Sequence, residues 1–166
     1  MFCIKQAAEA DIPVIQELAF VTWKIAYSEI LSSEQLDYML ELIYSSESLS
    51  RQMNEQQHRF IIVYNDAEPV GFASYSPKEG KDASIYRLHK LYVLPGQQGK
   101  GTGKYLLDHI IKKIKLAGAT ILELNVNRHN KAMHFYEKEG FTIKCEEDID
   151  IGNGYFMNDY VMELSI

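Results

Sequence analysis

Cysteine is nearly missing from this chain: Cys3 and Cys145 are the only two, and they lie far apart. So sparse a set cannot staple a small secreted fold and suits reduced thiols in a cytoplasmic protein. Long apolar runs are absent too, with nothing approaching the roughly 20 residues a membrane-spanning helix needs. The amino terminus, Met1–Gln6, has no basic region leading into an apolar one, which argues against export. Positive charge is in short supply, 17 Lys and Arg against 23 Asp and Glu, a net charge of −6. A general nucleic-acid binder needs the opposite balance. The five histidines are scattered, and His129 and His134 stand five apart, a spacing a helix would not aim at one metal. No metal site is expected. Prolines number four, and no linker, repeat or low-complexity stretch divides the chain. A single domain over residues 1–166 follows.

What is present is an ordinary globular composition, 46% apolar and 24% charged, unevenly arranged. Residues 1–80 hold 5 Lys and Arg against 12 Asp and Glu, while residues 81–166 hold 12 against 11. The second half is locally basic, with Lys90, Lys100, Lys104, Lys112, Lys113, Lys115, Arg128, Lys131 and Lys138 as solvated surface charge. That split suits a polyanionic ligand on one half and a cationic one elsewhere.

Apolar periodicity predicts a strand over Phe2–Gln6, then a helix to Tyr27 capped by Asp11 with Pro13 in its first turn. Ile15, Leu18, Ala19, Thr22 and Ala26 form its core stripe, with Phe20, Trp23 and Tyr27 as an aromatic stripe beside it. Helices over Ser33–Tyr44 and Ser46–Asn54 are each preceded by serine. Strands follow over Arg59–Tyr64 and Pro69–Ser76, flanking the turn Asn65–Glu68. A polar loop through Lys81 leads into a long strand, Ser84–Leu94. Thr102–Ala117 is a helix burying Leu106, Leu107, Ile110, Ile111 and Ile114, ended by Gly118. A strand over Thr120–Val126 and a helix over Asn130–Glu139 precede a closing hairpin, Phe141–Ile151 and Tyr155–Leu164. The strand–helix–strand unit over 84–126 implies a parallel crossover, and the hairpins make the sheet mixed.

Between the long strand and the Thr102 helix lies Gln98-Gly99-Lys100-Gly101-Thr102-Gly103-Lys104. Glycines there permit unusual dihedrals and close approach of a ligand. The first amides of the helix, with its dipole, favour a phosphate. A nucleotide P-loop would need glycine at Gln98 and Ser or Thr at Tyr105, and fails. A dinucleotide fingerprint would need glycine at Lys104 or Leu106, and also fails.

The pattern that fits is Q/R-x-x-G-x-G/A, preceded by Leu91-Tyr92-Val93-Leu94-Pro95, and it resembles the pyrophosphate motif of the GNAT N-acetyltransferase superfamily. Asn130-Lys131-Ala132-Met133-His134-Phe135-Tyr136-Glu137-Lys138-Glu139-Gly140-Phe141 matches a second motif of that family, close to N-x-x-A-x-x-F-Y-x-K-x-G-F. The resemblance implies an α/β (α+β) fold: a mixed, mostly antiparallel sheet of about seven strands, helices on both faces and a splayed parallel pair. It also implies acetyl-coenzyme A as donor and no metal. Amides of Gln98, Gly99, Lys100, Gly101, Thr102, Gly103 and Lys104 would then wrap the pyrophosphate. Backbone around Leu91, Tyr92 and Val93 would pair with the pantetheine arm, joined by Asn130, with Lys138 near a phosphate. Tyr136 falls where the family's general acid lies and would protonate the departing sulfur.

Many relatives carry a glutamate base at position 87, where this chain has Arg87, which cannot deprotonate. His89 lies two residues on, on the same strand face, with a usable pKa. Glu29 and Tyr75 are further candidates for the base and are placed among the acceptor-binding residues. In the family fold the first helix and the loop after it build the acceptor site, so Phe20, Trp23 and Tyr27 offer an aromatic wall for a cation. With the acidic first half, this points to a small cationic amine such as a polyamine, and the layout looks similar to bacterial spermidine/spermine acetyltransferases. Direct attack in a ternary complex is implied, since both cysteines lie outside the motifs. Protein amino groups as acceptors, or a non-catalytic coenzyme A sensor, are the alternatives. Homodimers are common among proteins it resembles, and neither a nucleic acid nor a membrane is expected as partner.

Overall fold

A computed structural model describes residues 1–80 and 82–166, so Lys81 of the expected polar loop lies outside the described residues. The elements run β1 (Phe2–Gln6), α1 (Ile12–Tyr27), α2 (Ser33–Tyr44), α3 (Ser46–Asn54), β2 (Arg59–Asn65), β3 (Glu68–Pro77) and β4 (Ile85–Val93). They continue α4 (Thr102–Leu116), β5 (Ile121–Asn127), α5 (Ala132–Lys138), β6 (Thr142–Gly152) and β7 (Tyr155–Ser165). Short 3-10 turns at Glu9–Asp11 and Pro95–Gln97 were not evident from periodicity.

Ser32 and Ser45 cap α2 and α3, their hydroxyls accepting from Gln35 N at 3.1 Å and Ser48 N at 3.2 Å. Asp11 does not cap α1 in this way. Its carboxylate accepts from Ala8 N at 2.9 Å and closes the preceding 3-10 turn. Local competition decides this: a short acidic side chain reaches back to its own turn as readily as forward.

Seven strands form a mostly antiparallel sheet, ordered β1-β2-β3-β4-β5-β7-β6, flanked by the five helices. β4 and β5 are parallel, paired from Ile85↔Ile121 to Leu88↔Leu124. The ladder stops there while β4 runs on to Val93, which is the expected splay. Gly71 in β3 is required to be glycine, because a Cβ would sit 2.9 Å from Tyr92 O. No helix among the described residues is long and apolar enough to cross a membrane.

The chain contacts divide into two compact units. The first comprises Met1–Ser76 and His89–Ile110. Its core is Ile15, Leu49, Phe60, Ile62, Phe72, Leu106, Leu107 and Ile110, all under 2% exposed. Each such side chain contributes roughly 1.5–3 kcal/mol through burial. The second comprises Pro77–Leu88 and Ile111–Ile166, with Ile114, Leu122, Leu124 and Met162 at its centre. Ile111 is half-buried rather than core, since it lies at the margin of the α4 apolar stripe. In the closing hairpin, Gly152, Asn153 and Gly154 all take positive φ (87°, 55° and 78°). β6 is the sheet's outer edge, and nearly every residue on it is exposed.

Candidate active site

In the first unit the glycine loop joins the 3-10 turn Pro95–Gln97 to α4. Gly99 and Gly101 have φ of +79° and +82°, which reverses the chain twice at positions where any side chain would be strained. A Cβ built on either meets nothing within 4 Å, so the space beside the loop is open. Among the described residues the amides of Gly99, Gly101, Thr102 and Gly103 make no backbone hydrogen bond. Thr102 is buried, and its hydroxyl donates to Gln97 O at 3.4 Å, tying the loop to the helix. Four open amides at the start of a 15-residue helix are a cradle for an anion. Gln98 and Lys100 expose their side chains beside it, and Lys104 is paired with Asp108 at 3.0 Å.

The aromatic wall expected on α1 is divided by the structure. Trp23 and Tyr27 are buried, and their rings lie 4.6 Å apart. Trp23 is also 5.7 Å from Tyr92, and Tyr27 Oη is 3.2 Å from Tyr92 Oη. Trp23 Nε1 donates to Tyr44 Oη at 2.9 Å, and burial pushes the Tyr44 phenol well above its usual pKa. Phe20 is instead 53% exposed, with Lys24 Nζ 3.8 Å above its ring. A helix turns 300° in three residues, so the stripe drifts and its first member leaves the cluster. Glu29 is exposed and Tyr75 is buried. Leu91, Tyr92 and Val93 are half-buried at the end of β4.

His89 is held by a hydrogen bond and a ring contact, among others. Its Nε2 shares a hydrogen bond of 2.7 Å with Ser76 Oγ. Its ring stacks on His58, with centroids 3.8 Å apart and planes within 9°. Lys90, read with the surface lysines, is instead buried in this unit, 9% exposed. Its Nζ donates to Gln52 Oε1 at 2.6 Å and lies over the Phe60 ring. Gln52 is held in turn, donating to Ile43 O at 2.8 Å and Ser48 Oγ at 3.0 Å. Burial lowers the Lys90 pKa to about 7. Burial and then the Lys90 charge lower His58 to about 4, so His58 is neutral at neutral pH.

The second unit carries the other motif. Tyr136 on α5 is 7% exposed, with Phe135 at 5.3 Å and Phe141 at 5.5 Å, ring to ring. Asn130 Oδ1 accepts from Ala132 N at 2.9 Å, a turn that opens α5. Lys138 is exposed. Arg87 gives its Nη2 to Asn125 Oδ1, and Asn125 Nδ2 donates to Asp159 Oδ2 at 3.3 Å. Glu123, 1% exposed, is gripped by Lys78 at 2.7 Å and Lys144 at 2.9 Å. Burial would raise its pKa, but the two lysines outweigh burial and leave it lowered.

Sequence reasoning did not reach Ser76, His58, Gln52, Asn125 or Asp159. A signal existed for two charged residues. Lys90 continues the alternation Tyr86, Leu88, and Asp159 continues Met157 and precedes Val161, both at inward positions of a strand. Among the described residues no cluster of three metal-ligating side chains occurs.

Residues 28–164 match the acetyltransferase (GNAT) domain family. The spermidine N(1)-acetyltransferase of Thermoplasma acidophilum is 28% identical over 165 residues, covering 96% of this chain and 94% of that one. An uncharacterized N-acetyltransferase of Mycobacterium tuberculosis is 27% identical over 153 residues, 92% of this chain and 96% of that one. Among solved structures, the PaiA N-acetyltransferase of Thermoplasma acidophilum in complex with coenzyme A has a TM-score of 0.83 at 27% identity. It is covered over 99% of its length by the whole of this chain.

Proposed function

The chain belongs to the GNAT acetyltransferase family, and from that premise we propose that it moves acetyl from acetyl-coenzyme A to a primary amine of a small cationic acceptor. The observation that carries the reading is the loop at Gly99–Gly103, with open amides and open space at the start of α4. The family match crosses both compact units, which supports one acetyltransferase domain over residues 1–166.

When bound, acetyl-coenzyme A supplies an acetyl group activated as a thioester. The amides from Gln98 to Lys104 hold its pyrophosphate. Leu91, Tyr92 and Val93, where the parallel ladder has ended, offer backbone groups to the pantetheine amides. Asn130 and Lys138 are assigned to the same ligand by motif. Tyr136 donates a proton from its phenol to the departing sulfur. His89, on β4, takes the proton of the acceptor's ammonium through its imidazole. Stacking on neutral His58 fixes the plane of that ring.

The acceptor class is supported by the 12 acidic residues against 5 basic ones in residues 1–80. The Thermoplasma relative named for spermidine acetylation supports it too. Trp23, Tyr27, Glu29, Tyr75 and Phe20 are assigned to acceptor contacts. The test is acetyl-coenzyme A-dependent thiol release across spermidine, spermine, aminoglycosides, amino acids and peptides. The highest kcat/KM is expected for a polyamine. A preference for neutral or acidic acceptors, or for peptide amino termini, overturns the acceptor class. No thiol release with any amine overturns the reaction.

A further inference from the structure

Tyr105 is an aromatic ring left in solvent beside the glycine loop. Along α4 within the first unit, Leu106, Leu107 and Ile110 are fully buried, and the exposed residues are Lys104, Tyr105 and Asp108. The two charged ones pair with each other at 3.0 Å. Tyr105 stays 42% exposed, a large aromatic surface on an otherwise charged face. The ring is not loose. Its centroid lies 5.5 Å from that of Phe2 on β1, with the planes 39° apart, and its Oη donates to Phe2 O at 3.4 Å. Asn65, which faces Phe2 across the β1–β2 ladder, donates from Nδ2 to Gln97 Oε1 at 3.5 Å. This strand end therefore borders the 3-10 turn that leads into the loop, and all these residues belong to the first unit.

Position along the helix relates the ring to the open amides. Tyr105 N donates to Gly101 O at 2.9 Å, which puts Tyr105 one turn, ~5.4 Å, beyond Gly101. Helical side chains lean toward the amino end of their helix, so the ring covers the turn before it, on the loop side. An anion cradled by the Gly101, Thr102 and Gly103 amides thus has an aromatic surface one turn away. Packing of β1 on α4 explains the contact with Phe2 and leaves the exposed part of the ring unexplained. A bare phosphate has no use for such a surface. A pyrophosphate that carries a flat heteroaromatic group one sugar away does, because every base offers a π-face to an exposed ring.

We propose that the paired rings of Tyr105 and Phe2 form the platform on which the adenine of the donor stacks, making Tyr105 a binding residue for the nucleotide end of coenzyme A. The inference rests on the coenzyme A reading above and names the group that holds the end of the ligand farthest from the thioester. An anchor there contributes equally before and during acetyl transfer, so it acts on donor binding and not on the chemical step.

The test is calorimetric titration of two probes, coenzyme A and 4′-phosphopantetheine, which keeps the arm and lacks the adenosine portion. Tyr105→Ala is expected to weaken coenzyme A binding about 5- to 20-fold, the lower part of the range for removing an aromatic partner from a base. Binding of 4′-phosphopantetheine is expected to stay unchanged. Tyr105→Phe keeps the ring and is expected to bind both probes as wild type does. Equal coenzyme A affinity in Tyr105→Ala and wild type overturns the inference. An equal loss for both probes overturns it too, since the effect then lies in the loop. Should Tyr105→Ala fail to fold, Tyr105→Leu keeps an apolar contact with Phe2 and is held to the same outcomes. A wild type that binds neither probe overturns the coenzyme A reading itself and the inference with it, a failure distinct from that of Tyr105 alone.

Discussion

His58 and His89 stack face to face, 3.8 Å between centroids and 9° from parallel, although 30 residues of β2, β3 and β4 separate them in the chain. Two imidazolium ions could not share that geometry, and burial with the Lys90 charge keeps His58 neutral, its pKa lowered to about 4. Stability follows from the sign of that shift. In the unfolded chain His58 binds a proton near pH 6.5, while in the folded protein it does so only near pH 4. The stabilisation is therefore complete above pH 6.5 and is lost as pH falls toward 4. The variant His58→Phe, which keeps a stacked ring, is expected to flatten the melting temperature between pH 6.5 and 4 by the equivalent of roughly 2 kcal/mol. Thermal melts across that range check it. An acid limb unchanged in the variant would show that other groups carry it.

Lys90 has the same sign and a higher window. Its folded pKa of about 7 lies below the 10.5 of a free lysine, so the unfolded state holds the proton more tightly between these values. Stability should fall as pH drops from about 10 to 7 and then level off. Lys90→Met removes this slope and stabilises the protein at pH 7 by roughly 1–3 kcal/mol, the unmatched Gln52 Oε1 taking back part of the gain. The same variant should raise the His58 pKa, readable by NMR titration of the imidazole resonances. An unmoved His58 would sink the electrostatic link.

Tyr136→Phe deletes one oxygen from a ring packed between Phe135 and Phe141, so folding and coenzyme A affinity should hold. Thiol release at saturating acceptor is expected to fall roughly 100-fold or more, the scale of a lost general acid. Full activity in this variant would remove Tyr136 from the chemistry.

Gly101→Ala places a side chain at φ +82° in open space, so the cost is conformational rather than steric, about 1–2 kcal/mol. Relief by relaxation of the loop would turn its amides away from the helix axis. Coenzyme A affinity should drop at least tenfold, measured by calorimetry, with most of the loss in the enthalpy of phosphate contacts. Unchanged affinity would dissociate the loop from the donor.

Local rules made most of the fold legible. The serine-capped helices α2 and α3 have the bounds that capping and periodicity imply, Ser33–Tyr44 and Ser46–Asn54. Glycines 99, 101 and 118 take the positive φ their positions suggested. The parts that escaped are those in which a side chain chooses among partners. Asp11 turned back to Ala8, and Phe20 left the ring cluster that Trp23 and Tyr27 entered. Lys90 shows the limit most clearly. Its alternation with Tyr86 and Leu88 placed it inward, and its charge argued outward; tertiary packing of Phe60 and Gln52 around it resolved the conflict in favour of the alternation. Contacts such as His58 on His89 or Asn125 on Asp159 join residues more than 30 positions apart, and only the register of the strands brings them together.

The outer strand β6 leaves a row of backbone groups along the rim of the sheet, a surface on which another extended chain could add. Its residues Glu146, Glu147, Asp148 and Asp150 stand along that rim, and all four are exposed. A second copy adding edge to edge would set carboxylates against carboxylates, so the rim repels its own kind. The strand that completes the sheet thereby also carries charge that opposes edge-to-edge growth, tempered where Arg128 pairs with Glu146 and Asp148.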